Sequence, residues 1–259
     1  MTRRARARPG TAARLLALAA SLAGAQSAAA ADPWSVELAT SRQQLSNGYA
    51  DWTENSARLT HALSTRQVTE VGLVQTERFG LRDDQLTGLL VRPLDDRFTA
   101  TVDASLSPTH RVLAQHHLGA MLQYEFAPAW LVHGGLRSTQ YTSATVTQGT
   151  FMLERYLSSF SGLLAWRPVQ TQGSSTSSTE LRASYYYADK SRVSLSLAAG
   201  QEAVQVSDTV LQLADVRATT LSGRHWITAD WALNYEWNST RQGDFYTRSG
   251  WRIGVQHSF

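Results

Sequence analysis

The chain has 259 residues, no cysteine, and 24 basic against 21 acidic side chains, a formal charge of +3. Without cysteine there is no disulfide framework, thiolate metal centre or thiol chemistry. The basic balance belongs to the N-terminus: setting aside Arg3, Arg4, Arg6, Arg8 and Arg14 leaves 19 basic residues of the 24 against 21 acidic, which excludes a nucleic-acid reading from charge.

Those arginines precede the apolar run Leu15–Ala25, and Ala28-Ala29-Ala30 supplies small residues for cleavage. This is the layout of a secretory signal peptide over residues 1–30, with Ala31 as the first mature residue and 31–259 as one domain. Arg3-Arg4 could suggest twin-arginine export. The apolar signature expected after that pair is absent, so the general secretory route is preferred. No later stretch reaches the ~20 apolar residues of a membrane helix.

From Trp34 onward the chain reads as short alternating segments broken by turn signals. Trp34–Thr40 comes first, then a loop around Gly48, Ala57–Ser64, a turn at Arg66-Gln67, and Val68–Arg78. Phe79–Asp84 reads as a loop, Gln85–Arg92 as a strand and Pro93–Asp96 as a tight turn. Arg97–Leu106 alternates clearly: Phe98, Ala100, Val102, Ala104 and Leu106 oppose Arg97, Thr99, Thr101, Asp103 and Ser105.

After Pro108–Arg111 come His117–Phe126, Trp130–Thr139, Thr145–Leu157 and Phe160–Arg167. Gly134-Gly135 reads as a kink or bulge in the third of these five-residue-and-longer runs counted from Arg97. Gln170–Ser178 is a polar, low-complexity loop. Leu181–Tyr187, Val193–Ala199, a long segment Gln201–Leu213 and Ala214–Leu221 follow. Gly223-Arg224 reads as a turn into Ile227–Trp237, and Asn238–Asp244 as the last loop. The total is about fourteen strands, with twelve as the competitor.

The last strand points to the class, and the rest of the chain decides it. Trp251, Ile253, Val255, His257 and Phe259 lie on one face, with Arg252, Gly254, Gln256 and Ser258 on the other. A terminal aromatic on such a strand resembles the assembly signal of bacterial outer-membrane β-barrels, although His257 stands where an aromatic is usual. Connections alternate between short (near Arg66, Asp95, Pro128, Ser158, Asp189 and Gly223) and mostly longer ones, as when one barrel end carries tight turns and the other carries loops. Trp34, Trp52, Phe98, Tyr124, Phe126, Trp130, Tyr156, Phe160, Trp226, Trp237 and Trp251 sit near strand ends, where interfacial girdles fall. Lipid does not tolerate an open sheet edge, so the sheet must close. The expected fold is an all-β, closed, antiparallel transmembrane barrel.

Glu77–Asp83, Ala127-Pro128-Ala129-Trp130, Tyr185-Tyr186-Tyr187 and Gly200-Gln201-Glu202, in that order, resemble the YaiO-type outer-membrane β-barrel family, over roughly Tyr49 to Phe259. The resemblance implies a barrel in the outer membrane. It supplies no mechanism, though an association of some members with surface-polysaccharide synthesis hints at export.

With apolar faces toward lipid, the polar faces line a lumen. Candidate lining residues are Arg97, Asp103, Glu125, Asp230, Glu236, Arg248 and Arg252, joined by Arg58, Arg182, Asp215 and Arg217. Mixed signs can brace the wall as ion pairs, set selectivity as charged rings do, or both. Catalysis is not expected. There is no Gly-x-Ser-x-Gly elbow, and His116-His117 point to opposite faces, so they cannot share a metal. No catalytic residue, metal or other cofactor is assigned. The leading expectation is a channel or export conduit for small solutes or polysaccharide. The second is a plugged barrel acting through its external loops, and the third a lipid-modifying enzyme. Expected partners are outer-membrane lipid and lipopolysaccharide, the barrel-assembly machinery and polysaccharide-export components.

Overall fold

In the computed structural model the described residues are 33–259 apart from 47, 172, 189 and 206–210, with backbone alone for 202–205 and 211–213. The signal segment, its cleavage site at Ala30 and Ala31 lie outside them, as do Asn47 and Asp189 of two expected connections.

Fourteen strands form one antiparallel sheet: β1 (Trp34–Leu45), β2 (Trp52–Ser64), β3 (Gln67–Arg78), β4 (Leu81–Pro93), β5 (Phe98–Leu106), β6 (His116–Ala127), β7 (Trp130–Gln140), β8 (Thr145–Leu157), β9 (Phe160–Thr171), β10 (Ser174–Tyr187), β11 (Ser191–Gln205), β12 (Leu211–Trp226), β13 (Trp231–Gln242) and β14 (Tyr246–Ser258). Each pairs with its sequence neighbour, and β1 pairs with β14 to close the ring, from Ser35 opposite Ser258 to Leu45 opposite Arg248. The amide of Phe259 donates to the Trp34 carbonyl at 2.9 Å, so the terminal residue extends the seam. Closure leaves no ladder edge to face lipid, which is why a sheet can exist there.

The burial pattern is inverted relative to a water-soluble barrel. On β5, Thr99, Thr101 and Ser105 are buried while Val102 and Leu106 are exposed. On β14, Trp251, Ile253, Val255 and Phe259 face out, and Arg248, Gln256 and Ser258 are buried. The exposed leucines and aromatics form the lipid-facing band. Fourteen strands at ~4.8 Å spacing and ~40° tilt close on a cylinder ~28 Å across, too wide for side chains alone to fill as they fill an eight-stranded barrel.

At the end holding both termini, the turns have two to four residues, and at the other end the connections have two to nine. The short turns mark the periplasmic end and the longer loops the outer end. The alternation of lengths is weaker than the sequence suggests, because three expected loops are strand. Phe79 and Gly80, at φ 54° and 73°, make a two-residue turn, so β4 starts at Leu81 rather than Gln85. Gln170–Ser178 is mostly the facing ends of β9 and β10, and Asn238–Gln242 continues β13. These strand ends rise beyond the hydrocarbon, where both faces are wet and a Ser/Thr/Gln pattern is the appropriate one.

Gly223-Arg224 is not a turn: both lie inside β12, and the chain reverses at 227–230 instead. An added Cβ on Gly223 would meet the Tyr235 ring, so the glycine serves close cross-strand packing. Gly134-Gly135 forms no bulge, since pairing to β6 and β8 runs unbroken through them; the irregularity in this hairpin falls at Glu125/Ala127.

Candidate functional site: the lumen and its outer mouth

Among the described residues, the inward side chains form three charge clusters at different places on the wall. The first joins β14, β1, β2 and β3. Arg252 donates to Glu37, and Arg58 lies between Glu37 at 3.9 Å and Glu70 at 4.0 Å. Gly254 makes room for it, because an added Cβ there would collide with the Glu37 carboxylate. Glu236 stands directly opposite Arg252 and accepts from Asn238 at 3.1 Å.

The second cluster joins β5, β6 and β7. Asp103 accepts 2.8 Å hydrogen bonds from Arg137 and His117, and the other ring nitrogen of His117 lies 2.6 Å from the Ser105 hydroxyl. Gly119 sits between: its missing Cβ is the space the Asp103 carboxylate occupies. The serine, histidine and aspartate are in line across β5 and β6. Ser105 is buried in the wall, the strand amides around it belong to the ladder, and Asp103 is shared with Arg137.

The third cluster joins β9 and β10, with Glu180 between Arg167 at 2.8 Å and Arg182 at 2.6 Å, and Arg182 also donating to Ser196. Nearby, His133 and Glu154 approach to 3.4 Å with both side chains buried. The inward residues Leu163, Ala165 and Glu154 of β8 and β9 are also buried. Arg58 and Glu70 keep 30% and 26% of their side-chain surface, and Arg137 keeps 30%. These charged groups, on β2, β3 and β7, face inward and keep surface open to solvent in the lumen.

Of the sequence-derived lining, Asp103, Glu125, Glu236, Arg248 and Arg252 face inward, as do Arg58 and Arg182. Glu125 sits at the periplasmic end, where its carboxylate accepts from the Ala129 amide. Arg97 does not line the lumen. It lies on the exposed β4–β5 turn, where its amide and that of Phe98 donate to Asp95. Asp230 is likewise on the exposed β12–β13 turn, and Asp215 and Arg217 are on the outward face of β12. Arg97 and Asp230 each lie one residue before the strand expected to carry them, and at Asp215 and Arg217 the alternation is inverted, with Ala214 and Val216 buried inward. Glu37, Glu70, Arg137, Arg167 and Glu180 were missed. The signal was present for Glu37, which alternates with the outward Val36 and Leu38.

The outer mouth narrows. The longest connection, residues 107–115, folds against the inner side of β4. Asp83, with 0% exposure, accepts the amides of Val112 at 2.5 Å and Leu113 at 2.7 Å, with Arg111 3.6 Å away. Ser107 donates to the Asp84 carbonyl, and Val112 is 2% exposed. The β7–β8 loop lies beside it, with Thr109, Arg111, Leu113, Tyr141 and Thr142 around a shared cavity of about 360 Å³.

Trp52, expected in a lipid-facing girdle, points inward at this level and is 3% exposed. The Arg78 guanidinium carbon lies 4.7 Å from its ring centroid and that of Arg248 4.8 Å away, with Phe79 and Tyr246 edge-on. At the opposite end an outward girdle is present: Trp34 stacks on His61, Phe98 on Tyr124, and Trp231, His257 and Phe259 group beside the closing seam.

No curated protein matches the chain. Among solved structures it is similar to the CymD monoaromatic hydrocarbon channel (8% identity, 89% of each chain covered, TM-score 0.61). It is also similar to a bacterial polysaccharide outer membrane secretin (10% identity, 89% of this chain and 100% of that one, TM-score 0.57). A third is Omp33 of Acinetobacter baumannii (11% identity, 87% and 98% covered, TM-score 0.52). At such identities the likeness establishes the barrel fold. The family model for the YaiO membrane beta barrel domain matches residues 34–205, and the chain is an outer-membrane β-barrel belonging to that family.

Proposed function

We propose that the barrel is a passive channel for small, water-soluble solutes across the outer membrane, and not an enzyme. The observation carrying this reading is the inward, solvent-touched charge on Arg58, Glu70 and Arg137 in a barrel with an apolar exterior. Ionised groups on a lumen wall hold water there, and water along the wall is the medium a polar solute needs. The ion pairs within each cluster stiffen the wall at the same time. Transport of a surface polysaccharide is a larger-scale version of the same task. The partners that fit it are lipopolysaccharide around the outer band, the assembly machinery at β14 and polysaccharide-export components at the periplasmic mouth.

The test is liposome swelling with neutral and charged solutes of graded size, using protein purified from outer membranes. Size-dependent swelling above protein-free vesicles is the expected result. A second reading, a barrel closed at its mouth and acting through its loops, draws support from the Asp83-held loop at 107–115. It predicts no swelling with any solute unless that loop is released.

A further inference from the structure

We propose that the cavity between the two mouth loops is a binding subsite for a neutral sugar, and that the solutes the barrel takes are carbohydrates. This rests on the channel reading and names the substrate class for it.

The cavity of about 360 Å³ falls within the ~300–1,000 Å³ range of small-molecule sites and suits a ligand of mono- or disaccharide size. Thr109, His110, Arg111 and Leu113 line it from the β5–β6 connection, and Tyr141 and Thr142 from the β7–β8 loop. Both walls are fixed. Asp83 holds the amides of Val112 and Leu113, and the Asp84 carbonyl accepts from Ser107. The Gln115 amide donates to the Gln140 carbonyl at 2.8 Å, which ties the first loop to the base of the second. The Tyr141 amide donates to the Ala144 carbonyl at 2.8 Å and closes the second loop as a turn. A site held in this way has little ordering left to lose on binding.

His110 gives a second indication. Its φ of 27° lies in the left-handed region, which a non-glycine residue rarely adopts. Strain of this kind persists where the surrounding structure holds a residue in place, and such places cluster at ligand sites. In this conformation Nδ1 lies 3.1 Å from the Ser107 carbonyl oxygen. A carbonyl only accepts, so Nδ1 carries the proton and Nε2 of the neutral ring is an acceptor.

The lining chemistry names the ligand. Arg111 is the charged member, and the buried Asp83 carboxylate 3.6 Å away offsets it. With that charge already balanced, an anion gains little there, and a cation meets a guanidinium. Arg111 supplies donors, His110 an acceptor, and the hydroxyls of Thr109 and Thr142 can do either. A hydrocarbon would leave these groups without partners. Leu113 and Tyr141 add apolar surface. An uncharged ligand that donates, accepts and also packs against carbon is a sugar ring, with hydroxyls at its edge and C–H groups on its faces. The first loop folds against the inner side of β4, so a solute meets this subsite before the charge clusters deeper in the lumen. Weak capture there concentrates sugar at the entrance and still lets it leave inward.

The experiment has two readouts on the full-length protein from outer membranes. Amide hydrogen exchange is followed on titration with maltotriose and with the trimer of N-acetylglucosamine, against glycerol and sodium citrate. Single-channel current is then read in planar bilayers as maltotriose is added. We expect both sugars to slow exchange saturably in peptides covering 107–115 and 141–144, with glycerol and citrate without effect, and maltotriose to reduce the current over the same concentration range. His110→Gly keeps the left-handed backbone and removes the ring, and Thr142→Val removes a hydroxyl at constant shape. Each should weaken the sugar response at least fivefold, with heat-modifiable migration on gels confirming that the variants are folded. Conduction with no protection by either sugar, protection by citrate instead, or protection unchanged in both variants overturns the sugar subsite while leaving the channel. Saturable, variant-sensitive protection in folded protein that does not conduct supports the subsite and sinks the channel reading.

Discussion

Replacing Asp83 by alanine should release the mouth loop while leaving the barrel wall intact. The buried carboxylate accepts the amides of Val112 and Leu113 at 2.5 and 2.7 Å. Hydrogen bonds to a charged acceptor contribute ~1.5–3 kcal/mol each, so the pair is worth ~3–6 kcal/mol before water replaces any of it. Taking ~3 kcal/mol as the net loss, and ~1.4 kcal/mol per tenfold, local opening becomes about a hundredfold more frequent. The assay is amide hydrogen exchange followed by mass spectrometry on detergent-solubilised protein. Peptides covering 107–115 should exchange about two orders of magnitude faster, with β9 and β10 peptides unchanged, because only the loop loses partners. Asp83→Asn keeps one acceptor oxygen and should fall between. Unchanged protection at Val112 and Leu113 in the alanine variant would refute the reasoning and assign the loop's position to the burial of Val112.

The Glu37–Arg252 pair ties β1 to β14 across the barrel seam. Glu37→Gln and Arg252→Gln should each lower unfolding free energy by ~2 kcal/mol in urea titrations. The double variant should cost clearly less than the two together, because each single change strands a partly buried charge; strict additivity would mean the pair is not coupled. Leu38 faces out with 63% exposure, so Leu38→Arg should cost ~2–4 kcal/mol in bilayer refolding. Ser222→Arg, inward and opposite Glu236, should be close to neutral, and equal penalties would contradict the assigned faces. Gly119→Ala places a Cβ 2.5 Å from the Asp103 carboxylate and should destabilise by ~1–3 kcal/mol, seen as a lower urea midpoint. Deleting Phe259 removes the seam bond to Trp34 and should reduce the heat-modifiable, protease-resistant fraction in the membrane; normal levels would count against an assembly role for that residue.

The barrel was legible because period-2 alternation survives wherever one face meets lipid and the other water. β5, β6, β13 and β14 all carry that contrast along most of their length, and the strand total of fourteen follows from it. The contrast disappears above the hydrocarbon band, where Ser, Thr and Gln suit both faces. That is why Gln170–Ser178 reads as a loop and proves to be mostly the facing ends of β9 and β10; Asp215 and Arg217 face outward because there the apolar side chains, Ala214 and Val216, point inward. Trp52 illustrates a different limit. A tryptophan near a strand end suits a girdle by composition, but its parity relative to Leu59 and His61 sends it inward, onto Arg78 and Arg248. The charge clusters depend on which strands meet across the ring. Asp103 and Arg137 are two strands apart and need Gly119 between them, a three-strand relation that alternation along one strand does not encode.

Single-channel recording in a planar bilayer, with full-length protein purified from outer membranes, tests the central claim most directly. The account predicts discrete, steady conductance steps, larger in Asp83→Ala as the mouth loop leaves the opening. Folded protein that gives no steps in either form would contradict a water-filled lumen and favour a closed barrel that acts through its external loops.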